Sequence, residues 1–176
     1  GGTAKDMHVD NGELQRMSTT GFTVGYSGSI YVNGITAVAS AYISSPLVTM
    51  VANKDNAAIY FTGAGSTFSA YQGFADNGVM LSADMTVTTG ALYLDGDMEN
   101  SSSEDGLNVI GFTDGRKLTA KTFMTLKAGS GSISLGGDLT LKAGSGIVLH
   151  TGLVGEVSGG KTVVLDCDYE SVGDGT

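Results

Sequence analysis

The residues best equipped to hold a metal ion are three carboxylates in the run Asp95-Gly-Asp97-Met-Glu99. Alternate spacing on an extended backbone sends side chains to one side, and three hard oxygen donors converging there suit calcium. The run lacks the Gly at loop position six and the Glu at position twelve that an EF-hand requires. It is also not repeated in the manner of calcium-binding β-rolls. A solvated acidic turn is the competing reading, and no other cofactor is expected.

His8 and His150 are the two histidines and Cys167 the one cysteine. A zinc site needs three or four ligands at motif spacing, which this set does not supply. His150 ends the strand-like run Ile147-Val-Leu-His150, where a strand-end histidine is the plain reading. A lone cysteine has no partner for a disulfide within the chain, so Cys167 reads as a small strand residue. Ser is abundant, but no nucleophile elbow surrounds any Ser. Paired carboxylates for glycoside hydrolysis occur in any acidic chain and single out no residue. The stretch Gly155-Glu-Val-Ser-Gly-Gly160-Lys161-Thr162 satisfies the formal phosphate-loop pattern. That chemistry also needs a helix whose N-terminus faces the phosphates, whereas the β-like Val163-Val-Leu-Asp166 follows. The expected catalytic set is therefore empty, and the chain is read as a non-enzyme.

Composition points the same way. Charged residues make up 15 % of the chain, well under the usual quarter, while Gly contributes 28 residues and Pro one. The Gly residues follow no three-residue period, which excludes collagen, and a 41 % hydrophobic content excludes a disordered chain. The net charge of −9, with Arg116-Lys117 the only adjacent basic pair, excludes a nucleic-acid partner, because a phosphate backbone needs a row of cations. No run reaches the ~20 apolar residues of a membrane span; Ile35 to Ala52 is broken at Ser44, Ser45 and Pro46.

The elements that would position these residues are legible as degenerate repeats. Met85-Thr-Val-Thr-Thr-Gly90, Met124-Thr-Leu-Lys-Ala-Gly129 and Leu139-Thr-Leu-Lys-Ala-Gly144 share one grammar, a short alternating strand, a Gly turn and another short strand. Leu-Lys-Ala-Gly-Ser-Gly occurs verbatim at Leu126 and at Leu141. Phe74-Ala-Asp-Asn-Gly and Phe112-Thr-Asp-Gly suggest a larger unit of about 38 residues. Apolar residues recur with period two, as in Ile133 and Leu135 or Leu139 and Leu141, so each pair faces one way. The intervals leave no room for crossover helices, and no helical pattern stands out. The expected fold is all-β: a right-handed parallel β-helix, with an antiparallel sandwich or jelly roll as the alternative. Val38 to Ile43 and Leu47 to Val51 read as buried strands. Asn53 to Asn56 and Gly63 to Ser66 read as turns, and Glu99 to Gly106 as an exposed loop inserted between coils. One domain, 1–176, is expected, with an irregular or capping part at 1–73 and a repeat-like part at 74–176.

Over about residues 74–155 the units around Leu126-Lys-Ala-Gly-Ser-Gly and Gly137-Asp-Leu-Thr-Leu-Lys-Ala-Gly144 resemble the haemagglutinin-type and autotransporter-like repeats of large secreted surface proteins. The resemblance implies a right-handed parallel β-helix, export, and an adhesive or scaffolding role. It transfers no functional residue, since those repeats are structural.

The function expected from these readings is that of an extracellular or cell-surface structural or adhesive protein. It would self-associate as the subunit of a filament, sheath or surface layer. The alternative is a carbohydrate-binding or polysaccharide-degrading β-helix, with surface glycans met by Tyr26, Tyr31, Tyr42, Tyr60 and Tyr71.

Overall fold

The computed structural model describes residues 9–43, 47–101, 105–155 and 160–171. Within them the chain winds through six coils of a β-solenoid with three flat faces. Helix α1 (Asn11–Leu14) precedes a first coil made of β1 (Phe22–Tyr26), β2 (Ile30–Asn33) and helix α2 (Ala37–Ser40). The second coil is β3 (Leu47–Ala52), β4 (Ile59–Thr62) and β5 (Ser66–Phe68); the third is β6 (Ala70–Ala75), β7 (Val79–Leu81) and β8 (Met85–Val87). The fourth is β9 (Leu92–Asp95), β10 (Val109–Phe112) and β11 (Arg116–Ala120). The fifth is β12 (Phe123–Lys127), β13 (Ser132–Leu135) and β14 (Leu139–Ala143), and the sixth β15 (Gly146–Leu149), β16 (Leu153–Gly155) and β17 (Val163–Asp166). Strands of like position stack into sheets of six, six and five strands. Every named pairing is parallel, which removes the antiparallel sandwich and jelly roll.

Parallel stacking without crossover helices works because each coil is itself the crossover. Three short strands and three corners bring the chain back beside its starting strand one coil further on. Inward residues then form ladders. On the first face Val48, Tyr71, Leu92, Met124 and Ile147 are successive register partners. On the second face Ile59, Val79, Ile110, Ile133 and Leu153 are. Leu92, Ile110, Leu118, Met124 and Leu126 are completely buried. Thr and Ser alternate with them on the outside, where Thr125 and Ser134 lie. Period-two patterning thus converts directly into a narrow apolar column.

The first-face ladder advances by 23, 21, 32 and 23 residues per coil from Val48 to Ile147. The long step contains the segment between β9 and β10, where the inserted loop Glu99 to Gly106 was expected. Two other sequence readings are corrected. The 38-residue unit does not recur in space: Phe74 is on the first face in register with Asp95, whereas Phe112 is on the second in register with Leu81. The verbatim hexapeptide also occupies two faces, starting from Leu126 in β12 and Leu141 in β14. The similarity reports a strand-corner-strand grammar that serves any side of the coil.

Val38 to Ile43 is not a buried strand. Thr36 accepts the Ala39 N–H through its hydroxyl at 3.1 Å and starts α2, leaving Val38 and Tyr42 exposed. Asp10 and Glu13 form a reciprocal capping box on α1. These two single turns are helices where no helix was expected, and they lie over the third face at the N-terminal end. There Ser40 Oγ donates to the Thr67 carbonyl at 2.9 Å. Asn53 to Asn56 forms a turn as read, and so does Gly63 to Gly65, with Ser66 beginning β5. Among the described residues no helix is long and apolar enough to cross a membrane.

Candidate functional site: an acidic corner at the inserted loop

The corner between the first and second faces carries most of the buried polarity. Asn56, Asn77 and Asn108 precede β4, β7 and β10 in successive coils. Asn77 donates through Nδ2 to Asn56 Oδ1 at 3.1 Å and accepts the Leu107 and Asn108 N–H groups at 2.8 and 3.1 Å. Asn108 donates to the Ser101 carbonyl at 2.9 Å and to Ser130 Oγ at 3.0 Å. Asn56 and Asn108 adopt φ of 64° and 48°, a left-handed conformation that Asn tolerates better than other side-chain-bearing residues. An amide ladder therefore fastens the inserted loop to the coils on either side.

The three expected calcium ligands are parted by this corner. Asp95 ends β9 with its side chain buried, accepting the Lys127 ammonium at 2.8 Å and the Tyr93 hydroxyl at 3.4 Å. Asp97, fully buried, accepts the Ser101 N–H at 3.3 Å and the Ser130 N–H. Both carboxylates serve as braces between segments. Glu99 alone joins a different set, in which ligand oxygens of Asp76, Glu99 and Asp105 all lie within 4.8 Å of one another.

The physical consequence is charge crowding. Asp76 is buried and accepts the Asn56 N–H at 2.8 Å. Burial pushes its carboxyl above the ordinary range, and the negative charges of Asp105 and Asp55 add to the rise against that hydrogen bond. Glu99 is raised by desolvation, then by Asp76 and Asp105. Asp105 Oδ2 is buried without a hydrogen-bond donor. Three carboxylates this close share protons or surround a hard cation; all-oxygen donors of this kind suit calcium in preference to zinc. Asp76 and Asp105 escaped notice because they are 29 positions apart and meet only through the coil register. The one visible signal was the acidity of the stretch Glu99 to Gly106.

The remaining candidates separate. His150 is exposed just beyond β15, its N–H donating to the Leu126 carbonyl at 2.9 Å. His8 lies outside the described residues, as do 156–159 of the phosphate-loop pattern. Lys161 of that pattern pairs with Asp114 at 3.3 Å, and strand β17, not a helix, follows it. Cys167 is free and half-buried in the turn after β17, not on a strand. Of the tyrosines, Tyr71 is wholly buried, while Tyr31 and Tyr60 stack face to face on the outside of the second face, centroids 5.0 Å apart. Compared with protein-family models, curated proteins and solved structures, the chain matches none.

Proposed function

We propose that the chain is a non-enzymatic extracellular structural or adhesive protein, a self-associating subunit of a filament, sheath or surface layer. One observation carries the reading: the buried side chains of Asp95, Asp97 and Asn77 are engaged in holding coil to coil. Asp95 bonds Lys127 across one coil step, Asp97 bonds the Ser130 backbone, and Asn77 spans Asn56 and the inserted loop. Groups committed in this way stiffen a rod. The resemblance of residues 74–155 to haemagglutinin-type and autotransporter-like repeats supports export and a scaffolding role. The glycan-binding alternative is weaker on physical grounds, because Tyr31 and Tyr60 occupy each other's faces instead of lying side by side as a platform. Sedimentation velocity and negative-stain microscopy over a concentration series test the proposal. Rods that lengthen with concentration support it, and dispersed monomers at high concentration count against it.

A further inference from the structure

The second face differs from the other two in what it lacks. Its six strands contain no charged residue, whereas the first face carries Asp95 and Lys127 and the third Arg116, Lys117, Lys142 and Asp166. In mid-solenoid its outward positions are apolar. Tyr60, Met80 and Gly111 are register partners in three successive coils, and Ser134 follows them. A Cβ added to Gly111 would meet Met80 Sδ at 2.8 Å and Val109 Cγ2 at 3.7 Å, so these two side chains close over the glycine. Leu107, just before β10, is 51 % exposed. Tyr60, Met80, Val109 and Leu107 thus form an apolar strip on the second to fourth coils, with described coils on both sides of it.

One border of this strip is acidic and the other is not. The corner leading into the second face brings Asp55 before β4, Asp76 before β7 and Asp105 before β10, with Glu99 joining them; the cation Lys54 stands beside Asp55. Among the described residues none of these four carboxylates is in an ion pair. At the opposite corner Asp84 and Asp114 are paired with Arg116 and Lys161, at 3.4 and 3.3 Å. The complementary surface is therefore apolar along its middle and basic along one flank.

We propose that this strip docks a basic amphipathic helix of a different protein. A sheet face, unlike a sheet edge, has no free backbone groups to pair with a strand, and a helix arrives with its own backbone satisfied. Strands of three or four residues make the face about 10–13 Å across, the diameter of one helix with its side chains. Three coil steps from β4 to β13 span about 14 Å, the length of about ten helical residues. A second copy does not supply the basic flank. Arg116, Lys121, Lys127, Lys142 and Lys161 are already paired within the chain, and its net charge is −9. Lysine or arginine from the partner is the counter-charge that Asp55, Glu99 and Asp105 lack, while its apolar stripe covers Met80 and Leu107. The inference adds a partner to the self-association proposed above and does not depend on it.

The test uses the full chain and three labelled synthetic peptides of about 15 residues, long enough to be helical. The first carries a leucine stripe with a lysine flank, the second has glutamate in place of lysine, and the third shuffles the first so that no stripe remains. Fluorescence anisotropy should show the first binding at least about tenfold more tightly than the other two and weakening as salt rises. Its Kd should lie in the micromolar range, since one helix covers less than the ~800 Å² per partner of a standard interface. Met80→Ser with Leu107→Ser, both at exposed or half-exposed positions, should loosen binding about tenfold or more with an unchanged circular-dichroism spectrum. Glu99→Gln with Asp105→Asn should loosen it too and flatten its salt dependence. Absence of binding by the lysine peptide overturns the docking surface. So does equal binding of the shuffled or glutamate peptide, or binding that survives the Met80 and Leu107 substitutions. None of these results touches self-association, which sedimentation of the chain alone decides.

Discussion

Lys127 stands one coil step from Asp95 in direct register, its ammonium 2.8 Å from a carboxylate that is only 4 % exposed. The hydrogen bond that Lys127 donates to Asp95 raises the lysine pKa, against the smaller opposing effect of desolvation. The pair is a brace between the fourth and fifth coils, and its two members are unequal. Lys127 reaches partly into solvent; Asp95 does not.

Removing the cation alone is therefore the damaging change. Lys127→Met leaves the Asp95 carboxylate buried without its cation, held by the neutral Tyr93 hydroxyl and Asp97 N–H donors alone. Breaking such a pair from one side costs about 2–3 kcal/mol, toward the low end for buried pairs because Lys127 is partly solvated. The double variant Asp95→Asn with Lys127→Met should recover most of that loss in urea unfolding. For a lysine raised in the folded state, the stability it lends is complete below its unfolded pKa and is lost as pH rises through the folded one. The contribution of the lysine should thus hold throughout the neutral range and be lost in alkali, above about pH 10.

The acidic corner has the opposite sign. Asp76 and Glu99 titrate above their ordinary values in the folded state, so the folded chain binds protons more tightly than the unfolded chain. Stability is then highest in mild acid and falls as pH rises from about 4, the unfolded value, through the folded values. Asp105→Asn removes one charge from the crowd and gives its orphaned Oδ2 position a group that can donate. The melting temperature at pH 7 should rise by about 2–4 °C, and its slope between pH 4 and 7 should flatten. Thermal melts of both proteins across that range measure the effect.

The parallel fold was legible in the sequence because its cause is local. Ile133 alternating with Ser132 and Ser134, and Leu139 and Leu141 flanking Thr140, declare strands with one buried side. Intervals too short for helices leave the coil itself as the connection. The coil length was not legible, because a strand-corner-strand phrase fits any of three faces, and Leu126 and Leu141 carry the same hexapeptide on two of them. Helix α2 was hidden for a related reason. Over six residues, Val38-Ala-Ser-Ala-Tyr-Ile43 is apolar enough for a strand, and only the Thr36 hydroxyl decides for a turn of helix. The acidic corner needed the register itself. Asp95, Asp97 and Glu99 are adjacent in sequence, yet burial turns the first two toward Lys127 and the Ser130 backbone, and Glu99 finds its neighbours 23 positions back and six ahead.

Tyr71 offers a test of core packing separate from hydrogen bonding. Its ring packs against Phe61 and Phe68 at centroid distances of 5.5 and 4.8 Å, while its buried hydroxyl has no partner. Burial also drives its pKa upward, so the hydroxyl stays neutral at any ordinary pH. Tyr71→Phe removes an unsatisfied group without opening a cavity and should be neutral or stabilising by up to about 1 kcal/mol, whereas Tyr71→Ala should cost about 3–5 kcal/mol. Gly73 makes room for this ring: a Cβ there would come within 3.0 Å of the Tyr71 ring and hydroxyl.

Corner glycines answer to backbone proximity. A Cβ on Gly131 would lie 1.7 Å from the Asn108 carbonyl oxygen, a contact no side-chain movement relieves. Gly131→Ala must push the fifth coil away from the inserted loop and should cost at least about 2 kcal/mol. Gly152→Ala, with nothing within 4 Å of the added carbon, is the matched control expected to stay within ~0.5 kcal/mol.

Asp97 decides whether the inserted loop is anchored or merely adjacent. Its carboxylate takes the Ser101 N–H on the loop and the Ser130 N–H on the next coil, and the residue is fully buried. Asp97→Ala strands both donors and severs the loop from the coil at once; each unsatisfied N–H costs about 1–3 kcal/mol unless the segment opens to water. Opening is the cheaper response at the loop, because Glu99, Asn100, Gly106 and Leu107 are already exposed. The expected result is local: faster amide exchange and new proteolytic cleavage between 99 and 107, with the ladders from Leu92 to Leu126 still protected. Asp97→Asn, which keeps one acceptor oxygen, should give an intermediate rate. Uniform acceleration of exchange across all six coils would instead mean that Asp97 holds up the solenoid as a whole.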